Sequence, residues 1–176
     1  RDLHLSLRRQ RQMCIRDRSS NKYNIKQYAQ FKSNFNNPMV VVQKSVAHPW
    51  MCDVLGHMTT RHYVAMFDDA AYHMLYEVFG WTGSSDDDNK IAWADVNHTI
   101  DYKSEVSAGD ILEIEAKLTK IGNKSITIYY EMKNLGKNEV AASLQVISVL
   151  FDLESRESVK ISEELKELAS KHLDNN

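Results

Sequence analysis

Apolar positions along the chain change their spacing twice, and the changes mark out its elements. Met39–Ala47 reads MVVVQKSVA, a β-branched run that predicts a first strand ended by Pro49. Asp53–Thr60 predicts a turn into a helix, with Thr59 or Thr60 as N-cap. From Tyr63 onward Val64, Phe67, Ala71, Leu75 and Val78 recur at helical spacing. Ala70, Met74 and Phe79 widen that stripe, and Gly80 stands where a C-cap glycine belongs. A helix this apolar calls for wrapping rather than a single contact face. Thr82–Lys90, TGSSDDDNK, is a polar loop, and beyond it the period becomes 2. Ile91–Val106 and Asp110–Lys120 predict strands, and Gly122–Asn123 a hairpin turn. Ile126, Ile128, Tyr130 and Met132 then alternate with Thr127, Tyr129, Glu131 and Lys133, which predicts a strand with one face toward a core. After a turn at LGKN, Val140–Leu153 is a nearly continuous apolar strand expected centrally, and Ser162 caps a short helix, Glu163–His172. The order is strand, long apolar helix, four strands in meander, small helix. It predicts an α+β fold in which one curled antiparallel sheet of about five strands wraps one long apolar helix.

Composition adds a compartment and removes a partner. The chain has 176 residues, 43% of them hydrophobic, enough for one well-buried domain. No run of about 18 apolar residues predicts a membrane span. Cys14 and Cys52 are too few for a disulfide framework and lack zinc-ligand spacing, so a reducing cytoplasm is expected. Residues 1–18, RDLHLSLRRQRQMCIRDR, hold six arginines and would suggest nucleic acid. However, RRQRQMCIRDR back-translates into a sequence resembling a transposon mosaic-end adapter. RDLH matches its upstream part in the same frame, with Leu5–Leu7 filling the place of a variable index. Residues 1–18 are therefore expected to be a non-native leader. Residues 19–38, rich in Asn, Lys, Tyr and Ser, are expected to be disordered or translated upstream DNA, with Met39 as the start. Of the 22 basic and 24 acidic residues, nine and two lie in residues 1–38. Residues 39–176 thus carry 13 basic and 22 acidic residues, net −9. An acidic domain is a poor binder of nucleic acid.

Chemistry centres on WMCDVLGHMTTRHYVAMFDDA, Trp50–Ala70, where Asp53, Gly56 and His57 precede the apolar helix. An Asp at this place is most simply a turn or cap residue. It also stands just ahead of helix N-terminal amides, which are unsatisfied and lie at the positive end of the helix dipole. Cys52 has no cationic neighbour to activate it. His62, His73 and Met74 read as ordinary helix residues, and Asp86–Asp88 lack the alternation of a calcium loop.

Three segments in order resemble one family: CDVLGHMTTRHYVAMFDDA, IDYKSEVSAGDILEIEAKLTKIGNKSITIYYEMKN and EVAASLQVISVLFDLESRESVKIS. The domain resembles the hotdog-fold acyl-CoA thioesterases of the 4-hydroxybenzoyl-CoA thioesterase-like group over Met39–Leu168. The resemblance places Asp53 at the position of the carboxylate that acts as nucleophile or as base for water. The backbone at Gly56, His57, Met58 and Thr59 is then the candidate oxyanion site, with Gly56 allowing close approach. Tyr63, Asp68, Asn97 and His98 are the candidate substrate contacts. The resemblance also implies hydrolysis of an acyl-CoA without cofactor or metal, in a homodimer or dimer of dimers whose sites lie between subunits. Thr59 replaces the Asn that often follows Gly-His-Met in this family, and Asp68 replaces a frequent Glu, which bears on substrate choice. The alternatives are a thioesterase for acyl-carrier-protein or carnitine-derived acyl-CoA, and a non-catalytic acyl-CoA-binding module.

Overall fold

The computed structural model describes residues 39–83 and 90–173. Residues 1–38, Cys14 among them, and Asp86–Asp88 lie outside the described residues. Strand β1 (Val40–Val46) leads through a single 3-10 turn (Pro49–Met51) to helix α1 (Thr60–Phe79). Strands β2 (Ile91–Tyr102), β3 (Ile111–Ile121), β4 (Ser125–Asn134), β5 (Glu139–Asp152) and the two-residue β6 (Glu157–Ser158) follow, then helix α2 (Glu163–Ser170). The predicted elements are all present. α1 starts at N-cap Thr59 and stops at Gly80, whose φ of 66° suits a residue without Cβ. α2 is capped by the Ser162 hydroxyl, which accepts from the Leu165 amide, and ends two residues short of the expected His172.

The topology departs from the meander expected. The antiparallel sheet runs β1-β3-β4-β5-β2, with β6 on β5. β2 therefore lies at the far edge beside β5, and β4 rather than β5 is central. The reason is the helix. α1 leaves β1 at one edge and, at roughly 30 Å for 20 residues, is long enough to carry the chain across the sheet before β2 begins. β2 then pairs with β5 over eleven positions, from Ile91–Asp152 to Tyr102–Ala142.

The face toward α1 is the core. Leu112, Ile114, Ala116 and Leu118 of β3, Ile126, Ile128, Tyr130 and Met132 of β4, and Leu144, Val146 and Leu150 of β5 are buried against Tyr63, Met66, Phe67, Ala70, Met74, Leu75 and Val78. Phe67 meets Tyr130 edge-on, centroids 6.3 Å apart. One residue of the expected stripe falls out: Val64 is exposed, while Tyr63 and Met66 are buried. Val64 sits on the rim of the apolar arc in the first turns, and periodicity does not say where the covering sheet stops. Tyr72 and Tyr76 are likewise exposed, so α1 is wrapped on one side only. On the opposite sheet face the buried Lys133 ammonium is matched by Glu115 at 2.5 Å, as a buried charge requires.

Candidate active site

Between Cys52 and Thr59 the chain makes a tight turn held from inside. Asp53 N–H donates to the His57 carbonyl and Gly56 N–H to the Asp53 carbonyl, both at 3.0 Å. The Asp53 carboxylate closes the same loop: its Oδ1 accepts from the Leu55 amide at 2.8 Å and from the His57 amide at 3.4 Å. Gly56 has φ +83°, which the turn needs and a side chain would oppose. Asp53 is exposed, and among the described residues only its Oδ1 is committed. Its chain neighbours Val54 and Leu55 are exposed, the first fully, and the exposed Trp50 ring stacks on His48 with centroids 4.0 Å apart.

The turn leans on the β2–β3 loop. His57 bridges to Ser107 in the backbone, and its Nε2 lies 3.2 Å from Glu105 Oε2. That loop is fixed in turn by Asp110, whose Oδ2 accepts from the Ser107 amide (2.9 Å) and Asn134 Nδ2 (2.7 Å) and pairs with Lys137 Nζ (3.1 Å). Partial burial pulls the Asp110 carboxyl upward, but these donors together hold it below the usual carboxylate range. Tyr63 is buried and its hydroxyl donates to the Ser104 carbonyl at 3.4 Å; burial pushes its phenol up. Its ring meets Tyr102 edge-on.

The amides expected to form the oxyanion site are mostly taken. Met58 N–H donates to Val106 O at 2.7 Å and Thr59 N–H to Met51 O at 3.0 Å; those of Gly56 and His57 go to Asp53 as described. Expectation placed the free donors too early, because sequence shows a helix start but not which carbonyls fold back on the residues before it. The first turn of α1 is where donors stay open: among the described residues Thr60 N–H and Arg61 N–H have no acceptor, and the Thr59 side chain makes no cap bond. The Thr59 hydroxyl is instead buried without a partner among the described residues.

The remaining candidates do not converge on Asp53 within one protomer. Asp68 is exposed on α1, about 12 Å along the helix from Thr60. His98 stands six residues before Ser104, roughly 20 Å along the chain. Asn97 and His98 also face opposite ways: Asn97 pairs with Ile147 on the outer face, His98 with the buried Val146 on the helix side. A bulge at Val96 puts Asp95 on the same side as His98, and Asp95 Oδ2 lies 2.9 Å from His98 Nε2 while Oδ1 accepts from the Ser148 hydroxyl. Neither Asp95 nor Glu105 was singled out from the sequence; Glu105 sits in SEVSAGD with only its charge as a signal. The Cys52 thiol donates to the His48 carbonyl at 3.8 Å. Among the described residues no group of three His, Cys, Asp or Glu could hold a metal ion, and no helix is long and apolar enough to cross a membrane.

Comparison with known proteins agrees with this architecture. The family model described as thioesterase-like superfamily matches residues 47–168. No curated protein sequence matches significantly. The fold is shared with the Escherichia coli probable thioesterase YbaW (TM-score 0.63, 20% identity, 76% of this chain and 98% of that one). It is shared as well with SAV2348 from Staphylococcus aureus in complex with CoA (0.70, 14%, 78% and 85%). A third is Slr0204, a 1,4-dihydroxy-2-naphthoyl-CoA thioesterase from Synechocystis (0.61, 15%, 74% and 95%).

Proposed function

The chain belongs to the thioesterase-like superfamily, and on that premise we propose that it hydrolyses an acyl-CoA to free acid and CoA, with Asp53 as the catalytic carboxylate. The observation that carries the reading is the turn itself. Its carboxylate is anchored by one oxygen and leaves the other open, seven residues ahead of a helix whose first amides have no acceptor. A thioester carbonyl whose oxygen rests on the Thr60 and Arg61 amides would gain from donors at the positive helix end as charge develops. Asp53 then acts in one of two ways. Its free oxygen attacks the carbonyl carbon, CoA thiolate leaves, and water cleaves the resulting anhydride. Otherwise it takes a proton from water as hydroxide attacks. Either way one thioester and one water become one acid and one thiol. The CoA moiety is supported by the CoA complex of SAV2348 and by the CoA thioester named for Slr0204.

We place the working site between two copies of the chain. β2 is a long free edge with Val96 60% exposed, and an unpartnered edge with apolar residues is a liability for a monomer. Antiparallel pairing of two β2 edges would join the two sheets and cover Val96. Light scattering at micromolar concentration should give a dimer or a multiple of it, and Val96→Lys should shift it toward monomer. A wild-type monomer would refute the shared site. The reaction itself is tested by thiol release from a panel of acyl-CoAs of varied length and polarity; no turnover on any of them would leave a binding module.

A further inference from the structure

At the end of α1 remote from Asp53, Phe79, Trp81, Trp93, Leu150, Val159 and Leu165 line a cavity of about 540 Å³. Its walls are braced. Phe79 stacks on Trp93 with centroids 4.9 Å apart, and Trp81 rests against Tyr72 at 5.4 Å. Concave, mostly apolar spaces of this size are typical of small-molecule sites. One cation belongs to the lining, Lys160. Lys90, Lys124, Lys137 and Lys166 each engage a carboxylate or carbonyl, whereas the exposed Lys160 ammonium engages none among the described residues. The other polar side chains of the lining are Thr82 and Ser162, whose hydroxyl accepts from the Leu165 amide.

We propose that this cavity binds a medium-chain carboxylic acid, its chain against Phe79, Trp93 and Leu150 and its carboxylate on Lys160. An apolar chain suits the aromatic and aliphatic side chains of Phe79, Trp81, Trp93, Leu150, Val159 and Leu165. A single anionic head satisfies the Lys160 ammonium by a charge-assisted bond. Such an acid is the class of product that the proposed hydrolysis releases; the inference rests on that reading only for the origin of the acid. The distance along α1, about 30 Å, makes this a separate site within the protomer.

Two of the three tryptophans line the cavity, so intrinsic fluorescence reports on it. The full chain is titrated with decanoate, with decanol as neutral counterpart, and with AMP. Saturable change with decanoate is expected, weakened about tenfold in Lys160→Gln, with decanol binding unaltered by that exposed substitution. Trp93→Leu should weaken decanoate and decanol alike. Absence of saturation with decanoate, equal decanoate affinity in wild type and Lys160→Gln, or saturation by AMP in place of decanoate would each overturn the assignment. The measurement needs no turnover. A chain that binds decanoate at Lys160 but hydrolyses no acyl-CoA loses the proposed reaction and keeps the cavity; the opposite pattern keeps the reaction and loses the cavity.

Discussion

Asp53→Asn is the most informative single change, because the turn predicts separate effects on fold and on rate. In the native turn Oδ1 does the structural work, accepting from Leu55 and His57. An asparagine keeps an oxygen at that place, so both bonds survive in neutral form. The residue is exposed, and solvent competes for them, so the stability change should stay below about 1 kcal/mol. What is lost is the negative charge and the open second oxygen. If that oxygen is base or nucleophile, turnover should fall about 10²–10⁴-fold, equivalent to roughly 3–5 kcal/mol on the barrier. KM should move little, since the carboxylate acts mainly in the transition state. Continuous thiol release on the best acyl-CoA gives kcat and KM, and thermal unfolding of the same preparation gives stability. Asp53→Ala is the companion: it removes the Oδ1 acceptor too, so it should lose stability as well as rate. Near-native turnover per folded molecule in Asp53→Asn would refute the mechanism and leave Asp53 as the residue that ties the turn.

Thr60→Pro deletes one helix N-terminal amide at the position where proline is tolerated, after a Thr59 already extended at φ −74°, ψ 151°. The fold should hold while kcat drops about 10²–10³-fold; unchanged kcat would remove this amide from the oxyanion site. Tyr130→Phe deletes a hydroxyl that is fully buried and has no hydrogen-bond partner among the described residues, so urea unfolding should show no loss and up to about 1 kcal/mol of gain. A loss beyond that would mean the hydroxyl has a partner. Asp110 has a lowered folded-state pKa, so its contribution is present above the unfolded pKa near 4 and disappears as pH falls through the folded value. Asp110→Asn should therefore flatten the acid limb of stability against pH and leave neutral-to-alkaline slopes alone, as read by thermal unfolding across pH 2–8.

Local chemistry alone determined much of the molecule. The apolar period of 3.6 located α1, the period of 2 located β3 and β4, Gly80 and Ser162 marked helix ends, and Asp53, Gly56 and His57 were placed together in one turn before α1. These follow from neighbours in sequence, because side-chain direction in a helix or strand is fixed by its own backbone. Tertiary structure decided the rest. β2 went to the edge beside β5 because a helix long enough to cross the sheet precedes it, which no window of the chain around β2 contains. Val64 was left exposed while Tyr63 and Met66 were buried, a choice set by which side of α1 meets the sheet. The bulge at Val96 alone put Asp95 and His98 on one face, where a regular strand would have separated them. Among the described residues the amides without an acceptor lie in the first turn of α1 rather than at Met58 and Thr59, because Val106 and Met51 carbonyls, one of them 48 residues away, fold back on the earlier amides. Whether a donor is free depends on which distant acceptor reaches it, and that is a property of the packed chain rather than of the residues that carry the donor.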